Sequence, residues 1–241
     1  MRTLDCGIAM LFGIAASVWI GLTPSRLEAQ GASGRRAATG EQSAASLPKD
    51  VYPDSRNRLP RVKREDLDEY GKKVYDEVAG QEGRSLGVEG PTGIRLYSPA
   101  VAEYMNMGNQ YLRYKSGLEP RLVELAILVS AREMDSQFEW NAHEAAGLKG
   151  GLDPKIIDII KYRKSVAGIG EKEAAIIQLG REALGKHQVA SDTFAQALKL
   201  FGTQGVVNVV TLMSHYSATA TLLTTFDQQL PPGQKPLLPI P

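Results

Sequence analysis

Through the middle of the chain, apolar residues recur at three- and four-residue spacing rather than in alternation, which is the period of an α-helix with one buried face. Eight helices are expected on this pattern. Glu65 to Val78 places Leu67, Tyr70, Val74 and Val78 on one side, with Gly80 as a stop. Ser98-Pro99 reads as a cap followed by proline in the first turn, after which Val101, Met105, Gly108 and Leu112 share a face up to Gly117. Pro120 opens a third helix with Leu122, Leu125, Ala126 and Val129 inward, and Ser136 starts a fourth. Asp153-Pro154 repeats the start signal before Ile156, Ile157, Ile159 and Ile160, a density that implies burial nearly all round. Glu171 to Leu184, Asp192 to Phe201 and Val206 to about Phe226 complete the set. The last carries the stripe Val209, Leu212, Met213, Tyr216, Ala220 and Leu223. No strand pattern, phosphate-binding glycine loop or internal repeat competes, so the predicted fold is all-α, a single helical domain over residues 61–230.

The flanks break this pattern. Arg2 precedes an uncharged stretch from Cys6 to Leu22, which resembles a secretory signal peptide over residues 1–30. The alternative, an uncleaved membrane anchor, would be short for a ~20-residue bilayer span. Residues 31–60 turn to Gly, Ala, Ser, Arg and Pro without periodicity and are read as a disordered linker. Residues 231–241 hold five prolines and are expected to run extended, lying across a neighbouring subunit. An export signal places the protein in the periplasm or outside the cell.

Composition then removes several classes. Lys plus Arg number 28 against 27 Asp plus Glu, with no long run of one sign, so nucleic acid is not an expected partner. Cys6 is the only cysteine and lies within the signal-like segment, so a cleaved chain has neither disulfide nor thiol chemistry.

Glu139 and His143 are the leading candidates for chemistry. Four residues apart on a helix, their side chains meet on one face at ~5–6 Å between β-carbons. A carboxylate beside an imidazole favours the protonated ring and fixes its orientation. Ser136 and Glu139 also have the spacing of a capping box, a purely structural use of the same glutamate. A metal site would need a third ligand. His187 and His215 are the remaining imidazoles and the His-Glu-x-x-His arrangement is absent, so no metal is assigned. Ser136 lacks the small-residue elbow of a nucleophilic serine. His215-Tyr216 could line the same cavity.

Taken in order, Ser98-Pro99, the segment Leu118 through Arg121 and Glu124 to Leu128, then Glu139, Trp140, His143, Gly147 and Gly151, and finally His215-Tyr216 resemble the carboxymuconolactone decarboxylase-like family. That family lies within the alkylhydroperoxidase-D-like superfamily. The resemblance spans roughly Asp66 to Leu230 and is most specific from Arg121 to Gly151. Peroxidase members carry a Cys-x-x-Cys pair before the helix histidine and an assisting glutamate upstream. Here Ser136 and Glu139 stand at the thiol positions, His143 at the histidine and Glu124 at the glutamate, so thiol-based peroxide reduction is disfavoured.

Decarboxylase members share the Glu-x-x-x-His arrangement and work without a cofactor. What the resemblance implies is loss of CO2 from a carboxylated lactone or related carbonyl compound, followed by protonation of a dienolate at carbon. On that reading His143 is the acid/base, Glu139 its orienting partner and Glu124 a proton relay, with Tyr97, Trp140 and His215 as the wall of the substrate pocket. A homo-oligomer, trimer or hexamer, is also implied. A non-catalytic exported binding protein on the same fold remains the alternative, and peroxidase-type activity a third.

Overall fold

The computed structural model describes residues 47–80 and 87–240. The signal-like segment and the linker as far as residue 46 lie outside the described residues. Among the described residues the architecture is all-α: α1 (Glu69–Ala79), α2 (Gly90–Arg95), α3 (Pro99–Tyr114), α4 (Pro120–Glu133), α5 (Gln137–Lys149), α6 (Pro154–Lys161), α7 (Glu171–Gly180) and α8 (Ser191–Thr225). No strand is present there beyond an isolated bridge between Tyr52 and Asn57.

The number of helices matches the expectation by a different route. α2 was not anticipated, because Gly-Pro-Thr-Gly is poor helix sequence; Ile94 holds it by packing against Phe138 and Leu223. The two expected C-terminal helices share one span, α8, broken at Gly202, where φ 67° and ψ 174° form a conformation open almost only to glycine. α1 starts at Glu69 rather than Glu65, because the Asp68 carboxylate accepts the Gly71 N–H at 2.7 Å and fixes the first turn. At α6 the Asp153 cap forms as expected, accepting from Lys155 N–H at 2.8 Å.

α4 is the axis of the domain. Every residue from Leu122 to Arg132 is buried, with α5, α7 and α8 packed around it. Each fully buried aliphatic there contributes about 1.5–3 kcal/mol relative to exposure. Close approach is made possible by glycines at two crossings. A β-carbon at Gly180 on α7 would collide with Val129, and one at Gly147 on α5 would lie 3.3 Å from Leu152 and 3.7 Å from the β-carbon of Glu124. Gly147 therefore sets the spacing that brings α5 onto α4 at the level of Glu124. Beyond Gly180 the chain winds as a π-helix, Arg181–Lys186, ending at His187 in the left-handed region.

Several predicted faces turn out differently. Tyr70 and Val101 are exposed although the periodicity placed them inward, and Phe194 and Leu198 on the first part of α8 are exposed as well. On α3 the buried residues are Ala102 and Leu112. On α1 only Gly71, Val74 and Val78 are buried, and the side of α3 turned inward borders a cavity with polar lining, so fewer apolar positions are covered than the pattern implies.

Both flanks are more ordered than composition suggested. Residues 47–60, read as linker, fold back on the end of α8: Arg58 N–H donates to the Phe226 carbonyl at 2.9 Å, Gln229 N–H to the Arg56 carbonyl at 2.8 Å, and Val51 and Asn57 are buried. The C-terminal stretch is extended, but it is strapped to its own domain. Asn141 on α5 donates to the Lys235 carbonyl at 2.8 Å and accepts the Leu237 N–H at 3.2 Å, while Leu238 enters the main core.

Candidate active site

A tight turn sets the geometry. α4 ends at Glu133, Asp135 takes the left-handed conformation at φ 47°, and α5 returns alongside. Asp tolerates that conformation better than most residues, and its carboxylate is paired with Arg132. The hairpin so formed brings Glu124, near the start of α4, opposite His143 on α5.

His143 is buried between two carboxylates. Its Nδ1–H donates to Glu124 Oε2 at 2.7 Å, and Nε2 lies 3.4 Å from Glu139 Oε2. The short, well-formed bond falls to Glu124, so the residue that orients the ring is Glu124 and the looser partner is Glu139. The other oxygen of Glu124 accepts from Arg113 Nη2 at 2.8 Å, which makes Glu124 a bridge between an imidazole and a guanidinium. The capping box does not form: Ser136 makes no side-chain capping bond, and its own N–H donates to the Ala131 carbonyl at 2.8 Å. Glu139 is thereby left available to His143.

These groups border a cavity of about 220 Å³ between α2, α3, α5 and α8. Glu139, His143 and His215 all line it. Glu124 stands behind His143. Trp140 and Tyr97 do not line it. Trp140 is completely buried on the other side of α5, with its indole N–H donated to Glu144 and Lys161 5.5 Å above the ring, a core fixture. Tyr97 is half exposed and donates to the Pro60 carbonyl at 2.7 Å, tying the N-terminal segment to the start of α3.

The cavity also contains residues that periodicity did not single out. α3 turns a polar stripe inward, Asn106, Asn109 and Arg113, while Tyr104, Met107 and Tyr111 face solvent. This inverted amphipathicity is the legible signal: Arg113 is the only basic residue of α3, and it shares a face with two asparagines three and four residues apart along the helix. Asn109 Nδ2 donates to His215 Nε2 at 3.1 Å and approaches the Tyr216 hydroxyl at 3.4 Å. Tyr216 stands edge-on to both rings, 5.1 Å from His143 and 5.5 Å from His215. Arg95 donates to Thr219 Oγ1 at 2.5 Å across the cavity wall.

The two histidines are driven in opposite directions. Burial opposes charge on His143, but the bond to Glu124 and the approach of Glu139 outweigh it and raise its pKa to about 9. Burial, reinforced by Arg95 and Arg113, lowers His215 to about 4. Burial likewise opposes ionisation of Glu124, yet its bonds to His143 and Arg113 hold the carboxyl below its usual range. Tyr216 is kept protonated, chiefly by burial. At neutral pH the cavity thus presents an imidazolium, a neutral imidazole and two guanidiniums, alongside the side chains of Glu89 and Glu139 in its lining. Pairs of titratable groups pushed apart in this way mark acid and base positions in many sites.

A stability consequence follows from the His143 shift. Its folded pKa lies above the unfolded value of ~6.5, so the protonated ring contributes stability in full below ~6.5, and that contribution is lost as pH rises through about 9. The depressed Glu124 describes the same contact from its other end, lost at low pH, and the two are not summed. Urea midpoints should therefore fall between pH 6 and 10 by an amount corresponding to roughly 3 kcal/mol. The decline should be much shallower in His143→Asn, and equal slopes in both proteins would remove His143 from the cause.

Among the described residues no group of three His, Cys, Asp or Glu side chains is arranged to hold a metal ion. The site and the fold together define an all-α domain in which a buried carboxylate links an imidazole and a guanidinium beside a polar cavity. Comparison of the chain with known family models and with curated proteins finds no match to either.

Proposed function

We propose that the chain is a cofactor-free acid/base enzyme acting on a carboxylated lactone or a related carbonyl compound, resembling a carboxymuconolactone decarboxylase. The observation that carries the reading is His143 held at the wall of the cavity by Glu124 at 2.7 Å, with only a loose contact from Nε2 to Glu139 at 3.4 Å. Nε2–H is the proton a ligand can compete for. A donor whose pKa lies near 9 is charged at neutral pH and still able to release its proton to a carbanion. Arg113 and Arg95 in the same wall suit an anionic substrate.

In the reaction so proposed, the carbon–carbon bond to the substrate carboxylate breaks, CO2 leaves, and the electron pair enters a dienolate. The dienolate carbon takes the proton of His143 Nε2, and the neutral ring is reprotonated from water. The net change consumes one proton and releases one CO2. Nearby guanidinium charge lowers the energy of the enolate oxygen as it develops.

The test is direct. Full-length protein incubated with a carboxylated muconolactone in D2O should release CO2 and give a product carrying one deuterium at carbon. Saturable binding with no product would favour the non-catalytic reading, and hydroperoxide consumption with a thiol reductant would favour the peroxidase one.

The homo-oligomer belongs to the same proposal. The apolar face of α8 is largely consumed within the domain, and the exposed row Tyr104, Met107, Tyr111 and Tyr114 on α3 is a better surface for a second copy. Light scattering that returned a monomer mass would reject it.

A further inference from the structure

Arg113 lines the cavity with a guanidinium for which Glu124 is the protein acceptor. A guanidinium carries five N–H donors in a planar fork. Glu124 takes one nitrogen of Arg113 at 2.8 Å, and Nε is buried with no acceptor, the only such buried side-chain nitrogen or oxygen among the described residues. A buried donor left unpaired costs roughly 1–3 kcal/mol. Its geometry is nonetheless braced, by Glu124 on one edge and by the ring of Tyr114, whose centroid lies 5.2 Å from the guanidinium carbon. Burial and the nearby Arg95 and Arg113 charges leave His215 neutral, so the cation at this end of the cavity is guanidinium rather than imidazolium.

We propose that Arg113 is the ligand-anchoring residue of the cavity, binding the carboxylate or enolate oxygen of a planar, conjugated anion through the donors that Glu124 does not occupy. Glu124 then has two tasks in one side chain. One oxygen holds the anchoring cation and the other holds the proton donor, so the anion is fixed relative to His143 Nε2–H. Because Nε is itself buried, the bound oxyanion is met by the terminal guanidinium N–H groups that Glu124 leaves unused. Lysine at this position would keep the charge and lose the fork.

The inference rests on the acid/base reading for its catalytic meaning, but its binding arm can be tested alone. The probe is 2-furoate, a planar five-membered ring with a conjugated carboxylate, titrated calorimetrically into the full-length protein. One site is expected, weakened about tenfold or more in Arg113→Gln and severalfold in Arg113→Lys, with furan-2-carboxamide failing to bind. Circular dichroism and urea midpoints of both variants guard against simple unfolding, and Arg113→Lys retains a cation beside Glu124 if Arg113→Gln is unstable. Undiminished furoate binding in both variants, loss of binding only in Arg95→Gln, or no binding by the wild type would each overturn the proposal. Furoate binding that depends on Arg113 without turnover of any carboxylated lactone would leave the anchor standing and reject the decarboxylase reading instead.

Discussion

Replacing His143 by asparagine is expected to lower turnover of a carboxylated lactone about 10³-fold, the scale of losing a positioned general acid. Asparagine is the informative replacement because its amide nitrogen sits where Nδ1 did and can still donate to Glu124, while the Nε2–H that faces Glu139 is removed. The buried carboxylate keeps a partner, so the fold and the binding of 2-furoate should change little. The loss should appear in kcat with KM nearly constant, as for a group acting only in the transition state. Retention of turnover within tenfold would take His143 out of the proton transfer. Glu139→Gln is a useful companion: at 3.4 Å its contact with the ring is weak, and its effect should be far smaller.

Glu124→Ala should be the most damaging single change to stability in the site, by roughly 3–5 kcal/mol. The reason is that one carboxylate serves two buried cations. Its removal strands Arg113, whose Nε already lacks an acceptor, and leaves His143 with only its 3.4 Å neighbour. Burial then dominates the imidazole, and its pKa should fall from about 9 to or below the ordinary histidine range. Chemical denaturation measures the first effect, and titration of the His143 ring proton by NMR measures the second. A variant as stable as the wild type, with His143 still titrating near 9, would mean that the Glu124 bridge is not what charges the ring. Glutamine at the same position would keep the shape without the charge, separating the electrostatic contribution from packing.

The comparison of sequence with structure divides along physical lines. Helix starts defined by local chemistry were readable: Pro120 and Asp153-Pro154 lie where the helices begin, because a cap or a fixed proline φ acts within one turn. Ser136 likewise stands where α5 begins, but the capping box expected of it did not form. Its backbone N–H was taken by Ala131 across the hairpin turn, a contact no four-residue window contains. The inward face of α3 was misread for a related reason. Periodicity assumes that the inner side is the apolar one, and here the inner side borders a polar cavity while tyrosines and a methionine face out.

The sequence by itself determined the all-α class, most of the helix order and the pairing of Glu139 with His143, since each depends on spacing within a few residues. Glu124 came into view through family resemblance and not through spacing, because it lies 19 residues from His143. Only the tertiary structure decided which carboxylate orients the ring, that Arg113 and Asn109 belong to the site, that Trp140 and Tyr97 do not line it, and that the C-terminal stretch closes on its own domain. Those outcomes depend on how α3, α5 and α8 pack around α4, where small residues such as Gly147 set the separations, the Glu124 carboxylate holds one buried imidazole as a cation, and burial leaves a second ring neutral and a donor unsatisfied.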